Sequence, residues 1–138
     1  MISRIVCAAL AAGVFLILPG RAASQAPPVA VSQTERIARN LADNILGEGS
    51  VKSVREIDQG RGLAMVWESA TYRAHHSPTQ TRELLQAEVE LALGAIFQIL
   101  RQIERIQFQI LQGKRQLASG EASRTQPLRM QFARELGG

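Results

Sequence analysis

His75 and His76 are the only histidines of this 138-residue chain and the first place to look for proton transfer or metal ligation. Adjacent side chains on an extended segment point to opposite sides, so one ligand sphere would use a single one of them, with Glu83 or Glu88 completing the site. No spacing in the sequence requires that, and no metal is expected. Glu83, Glu88 and Glu90 could also serve acid–base chemistry in pairs. Glu83 and Glu90, however, lie two turns apart on what reads as the solvated face of a helix, where carboxylates are ordinary surface. A hydrolase using His75 or His76 with Glu83 or Glu88 has only that juxtaposition behind it. Ser69, Thr71, Ser77 and Thr79 add hydroxyls, without a histidine and an acid placed to activate one. Gly60-Arg61-Gly62 falls between strands rather than at a strand-to-helix junction, so it makes no phosphate cradle. The expectation is a chain that is not an enzyme and carries no cofactor.

Binding chemistry has better candidates. Glu68 follows Trp67 in a segment that reads as an inner strand, and a buried carboxylate needs a partner, which Arg73 or Arg82 could supply. Glu68, Tyr72, Arg73 and Arg82 are therefore the candidate polar anchors, either of a structural ion pair or of a small apolar or amphipathic ligand carried between sheet and helices. Leu93, Phe97 and Leu100 form a second apolar stripe on a helix that already has one, with Gly94 permitting close approach. They either pack inside the domain or face another protein, a second copy included.

The compartment follows from the N-terminus. Arg4, the apolar run Ile5 to Leu18, the break at Pro19-Gly20 and the small residues Ala22, Ala23 and Ser24 have the form of a cleavable export leader over residues 1–23. The run is short of the roughly 20 apolar residues that cross a bilayer, and the later apolar stretch is broken by Arg101, Glu104 and Arg105. The expectation is a periplasmic or secreted chain, starting between Ala23 and Pro27, with no stable membrane span after cleavage. The single cysteine, Cys7, lies in the leader. Disulfides, thiol nucleophiles and thiolate metal sites go with it. Without Arg4 and Arg21, 14 basic residues face 12 acidic ones. They are spread along the chain, which argues against nucleic acid as a partner, since that needs a focused basic patch.

The elements come next. Residues 24–31 read as an extended linker through Pro27-Pro28. Ser32-Gln33-Thr34-Glu35 is a capping box, followed at helical spacing by Ile37, Ala38, Leu41, Ala42 and Ile45, and stopped by Gly47 and Gly49. Val51 to Ile57 and Leu63 to Trp67 flank the turn-like Asp58-Gln59-Gly60-Arg61-Gly62 and read as a hairpin. Ser77-Pro78-Thr79-Gln80 opens a second helix running to about Leu100, with proline where its missing amide costs nothing.

Residues 105–120, RIQFQILQGKRQLASG, admit two structures. Leu85, Val89, Ala92, Ile96, Ile99, Ile103, Ile106 and Ile110 keep a four-three spacing that would make a coiled-coil seam if the helix continued. Phe108 would then lie about 200° from Ile106 among glutamines, and Gly113 and Gly120 would each cost about 1 kcal/mol inside the helix. As a strand, Ile106, Phe108 and Ile110 share one face while Arg105, Gln107 and Gln109 take the other. Gly113-Lys114 then fits a two-residue turn that sets Ile110 opposite Leu117.

The expected fold is α+β over residues 32–122: helix, hairpin, helix, hairpin, with an antiparallel sheet of about four strands and both helices on one face. Residues 123–138 add a short strand through Met130 and Phe132 or a tail. The alternative is a mainly α chain with a long C-terminal coiled-coil arm of chaperone-like use. The expected function is a small exported, non-catalytic interaction or assembly module of the cell envelope, whose partner is a protein; the carrier is the second reading.

Overall fold

A computed structural model describes residues 31–137. The leader and all of the linker except Val31 lie outside the described residues. Helix α1 (Gln33–Leu46) starts as its capping box dictates: Ser32 Oγ accepts from the Glu35 amide, and Glu35 Oε1 accepts from the Ser32 amide, each at 3.0 Å. The other Glu35 oxygen accepts from the Glu56 amide at 2.8 Å. At the far end, Asp43 Oδ1 accepts from the Val51 amide at 3.1 Å. Helix α1 is thereby clamped antiparallel to β1 (Val51–Ile57) at both of its ends.

Strand β2 (Gly62–Glu68) returns antiparallel to β1. Asp58, Gln59 and Gly60 between them all have positive φ, at 54°, 58° and 87°. Only glycine adopts that conformation freely. Arg105 holds the turn by gripping both Asp58 oxygens through Nε and Nη2. Helix α2 (Pro78–Ile99) follows, with Ser77 Oγ accepting from the Gln80 amide at 3.1 Å and proline in the first turn. Its 22 residues carry the chain back by about 33 Å.

The next strand, β3 (Arg105–Gln112), therefore starts level with the start of β2 and runs parallel to it, pairing Leu63 with Ile106 and Trp67 with Ile110. An all-antiparallel sheet is not what forms. Two hairpins joined by a helix of about sheet length make a strand-helix-strand crossover, and its geometry makes the two joined strands parallel. Strands β4 (Arg115–Ser123) and β5 (Arg129–Phe132) follow antiparallel, in a five-stranded mixed sheet of order β1-β2-β3-β4-β5. The C-terminal segment thus contributes a fifth strand beyond the expected four, then a short 3-10 turn, Arg134–Leu136, that buries Leu136 against the core.

The hairpin reading of residues 105–120 holds, and the coiled-coil arm does not form. Phe108 is buried while Gln107 and Gln109 are exposed, the alternation a strand imposes and a helix cannot. Helix α2 stops because Arg124, on the turn after β4, donates to the Phe97, Leu100 and Ile103 carbonyls at 2.5, 3.0 and 2.7 Å, occupying acceptors that a continued helix would have used internally. The register differs by one residue from the expected one. A bulge near the turn pairs Ile110 with Ala118 and leaves Leu117 as the extra residue, still buried.

Candidate interaction surface

The sheet–helix interface is filled. Leu63, Met65 and Trp67 of β2, Ile106 and Ile110 of β3, and Leu85, Val89 and Ile96 of α2 are all fully buried there. Trp67 stacks on Phe108 with ring centroids 5.6 Å apart. The volume a carried ligand would occupy is taken by side chains.

Leu93 and Leu100 belong to this core, at 2% and 5% exposure, and Phe97 is half-buried beneath the Arg124 guanidinium, 5.0 Å from its ring centroid. The second stripe of the long helix packs inward instead of presenting a surface.

The buried carboxylate is Glu88, not Glu68. Glu68 lies at the rim with its side chain 43% exposed, 3.6 Å from Lys52 Nζ. Neither Arg73 nor Arg82 reaches it. Arg73 donates to the Tyr72 carbonyl at 2.7 Å, and Arg82 donates to the Leu136 carbonyl and to Thr79. Glu88, at 3% exposure, accepts from the Trp67 indole at 3.3 Å, from Ser69 Oγ at 2.6 Å, from the Ala70 and Thr71 amides at 3.1 and 3.3 Å, and from Thr71 Oγ1. All of these partners donate, so the carboxylate acts as a clamp on the chain leaving β2, supplying acceptors to backbone that has left the sheet. A signal for it existed in the sequence: Glu88 sits at three- and four-residue spacing from Leu85 and Ala92, on the core side, unlike Glu83 and Glu90.

Tyr72 Oη accepts from Arg115 at 2.8 Å, with the guanidinium 5.5 Å above the ring, and Arg115 also pairs with Glu135 at 3.4 Å. Glu68 and Tyr72 therefore meet the β3–β4 turn, whereas Arg73 and Arg82 are spent on backbone carbonyls. The polar anchors form no common site. His75 and His76 lie in a turn closed by the His76 amide on the Arg73 carbonyl, with rings 4.6 Å apart edge to face. The turn brings together side chains that an extended strand would have parted. Among the described residues, no group of three histidine, cysteine or carboxylate ligands could hold a metal.

A few large apolar side chains remain on the outside. The exposed large hydrophobic residues, among those described, are Val31 (59%), Ile45 (40%), Leu91 (64%) and Ile99 (58%). Ile45 lies on α1 and Leu91 and Ile99 on α2, while Val31 precedes the cap of α1. Helices α1 and α2 run antiparallel: α1 opposes β1, α2 opposes β2, and Gln102 beyond the end of α2 donates to Thr34 at the start of α1, at 3.3 Å. Counting along both helices from that contact at an equal rise per residue, Ile45 falls level with Leu91, and Ile37 with Ile99. Ile37, Leu41 and Ala95 of the same two helices are half-buried. The result is a shallow apolar seam along the outer side of the helix pair.

The opposite side of the molecule is the uncovered face of the sheet, a trough of about 710 Å³ lined by Arg55, Val66, Gln107, Gln109, Ser119 and Gln131. Arg105 bridges Asp58 and Glu121 at its end, the latter at 3.0 Å. The Arg105 hydrogen bond holds the Asp58 carboxyl below its ordinary range, and Asp58 in turn raises Arg105. These charges pair with one another at one end of the trough, while Arg55 stands exposed along it.

No family model matches the chain, no curated protein matches it, and no solved structure matches it.

Proposed function

We propose that this chain is a small non-catalytic interaction or assembly module of the cell envelope, delivered by its leader, and that it meets its protein partner through the apolar seam of the α1–α2 layer. The observation that carries the reading is the exposure of Ile45, Leu91 and Ile99 on the two helices, where burial against a partner would regain the free energy that their exposure forfeits, about 25 cal/mol per Å² of apolar surface. The filled sheet–helix interface among the described residues supports a scaffold better than a carrier. Buried Glu88, whose partners are all donors of its own chain, supports a structural carboxylate better than a catalytic one.

The test compares the wild type with Leu91→Glu, a change at an exposed site that leaves the core intact. The wild type is expected to retain a partner from an envelope fraction or to self-associate, and the variant to lose that while keeping its fold. A wild type that captures nothing and stays monomeric overturns the reading.

A further inference from the structure

We infer that the uncovered face of the sheet binds the C-terminal residues of an extended peptide, in a lane over β2 with the terminal carboxylate on Arg55. The site lies on the face opposite the apolar seam, and neither reading depends on the other. The register sets Ala64 between Arg55 and Gln107, and Val66 between Ser53 and Gln109. Ala64 and Val66 are short and half-buried, whereas Arg55, Gln107 and Gln109 are exposed. Strand β2 is thus the low floor between walls of longer side chains. The lane closes at Gly62, where a Cβ would come within 2.9 Å of both Asp58 Oδ2 and Ile57 Cγ1, so those side chains already lie over the backbone. A lane blind at one end suits the end of a chain better than the middle of a polymer.

The spacing of the wall fits a peptide. Gln107 and Gln109 stand two residues apart on β3, about 6.7 Å, and an extended peptide repeats the N–H and C=O groups of one side with the same period. A glutamine amide offers both a donor and an acceptor to each repeat. A peptide running from the Glu68 end toward Gly62 therefore meets Gln109 and then Gln107 in step. Charge selects the terminus that reaches the blind end. Arg105 pairs with Asp58 and Glu121, and Arg129 with Glu121. Among the described residues, no hydrogen bond or ion pair holds Arg55, which lines the trough. A carboxylate matches its guanidinium through two parallel charge-assisted hydrogen bonds. A sugar or a nucleobase would call for an aromatic platform, and the Phe108 ring is turned into the core against Trp67.

Fluorescence polarisation of a pool of N-terminally labelled random peptides, about five residues long with free C-termini, tests the site when the chain is titrated in from about one to several hundred micromolar. Saturable binding is expected, and amidating the C-termini of the pool should weaken it at least tenfold. Arg55→Gln should weaken it to a similar degree, and Gln107→Ala and Gln109→Ala several-fold each. Ala64→Leu, which fills the floor, should abolish it. Thermal melts should show each variant folded, since all four positions face outward from the sheet and are exposed or half-buried. Leu91→Glu should leave peptide binding unchanged, which separates this site from the seam. Absence of saturation, or binding indifferent both to amidation and to Arg55→Gln, overturns the proposal. Retention of an acidic oligosaccharide or a single-stranded nucleic acid in place of the peptides overturns it as well.

Discussion

At the scale of single residues, two carboxylates organise the backbone. Glu88 serves the donors that leave β2, and replacing it by alanine orphans the Trp67 indole together with the Ala70 and Thr71 amides. An unsatisfied buried donor costs about 1–3 kcal/mol. Glu88→Ala should therefore lower the unfolding free energy by about 3 kcal/mol in urea titrations followed by Trp67, the only tryptophan and thus a clean fluorescence reporter. Glu35 accepts two backbone amides, from Ser32 and Glu56, and those hydrogen bonds hold its carboxyl below its ordinary value of 4.5. A carboxyl depressed in the folded state favours folding most at pH above its unfolded value, and that contribution fades as pH falls through the folded one. Stability should thus decline as pH drops below about 4.5, and Glu35→Gln should flatten part of that acid limb. If the acid limbs of wild type and variant coincide in thermal melts between pH 3 and 7, spanning the ordinary carboxyl range, Glu35 is not the group responsible.

At the scale of elements, the capping box of α1 and the Ser77 cap and proline of α2 were legible because caps are local: a hydroxyl reaches amides two or three residues away whatever the rest of the chain does. The β3–β4 hairpin was legible through Phe108, which alternation buries and helical winding would strand. Its register was not, because the bulge at Leu117 depends on how β4 meets both β3 and β5. Gly120 shows the same dependence. A Cβ there would come within 2.9 Å of the Phe108 ring and would run into the Arg129 carbonyl, so the glycine is the floor on which the aromatic ring lies and on which β5 closes. Gly120→Ala should destabilise by about 1–3 kcal/mol, the usual cost of overpacking, and should loosen amide-exchange protection in β5 first. Gly94→Ala, on the exposed side of α2, should raise the thermal midpoint of the monomer instead, since alanine is favoured over glycine in a helix by about 1 kcal/mol.

For the whole molecule, export is the expectation that no feature of residues 31–137 touches. Expressed in a Gram-negative host, the chain should appear in the osmotic-shock fraction with a mature N-terminus between Ala23 and Pro27. Retention in the cytoplasm at full length would remove the envelope setting. The interior resembles what composition and patterning call for in a thiol-free domain of this size, with apolar residues contributed by both helices and by four of the five strands. The outward-facing seam is different: Leu91, Ile99 and Ile45 read as helix residues like any others until the crossing of α1 over α2 decides which of them are covered.

The amino-acid sequence by itself determined where the helices begin and that the stretch after Leu100 alternates as a strand, because caps and periodicity act over a few residues. The parallel pairing of β2 with β3, the burial of Leu93 and Leu100, the exposure of Leu91 and the choice of Glu88 over Glu68 as the buried carboxylate were decided by the tertiary structure alone. Each depends on contacts between segments some twenty or more residues apart, such as Trp67 with Glu88 and Arg124 with Phe97, and periodicity says which residues share a face but not what that face will meet.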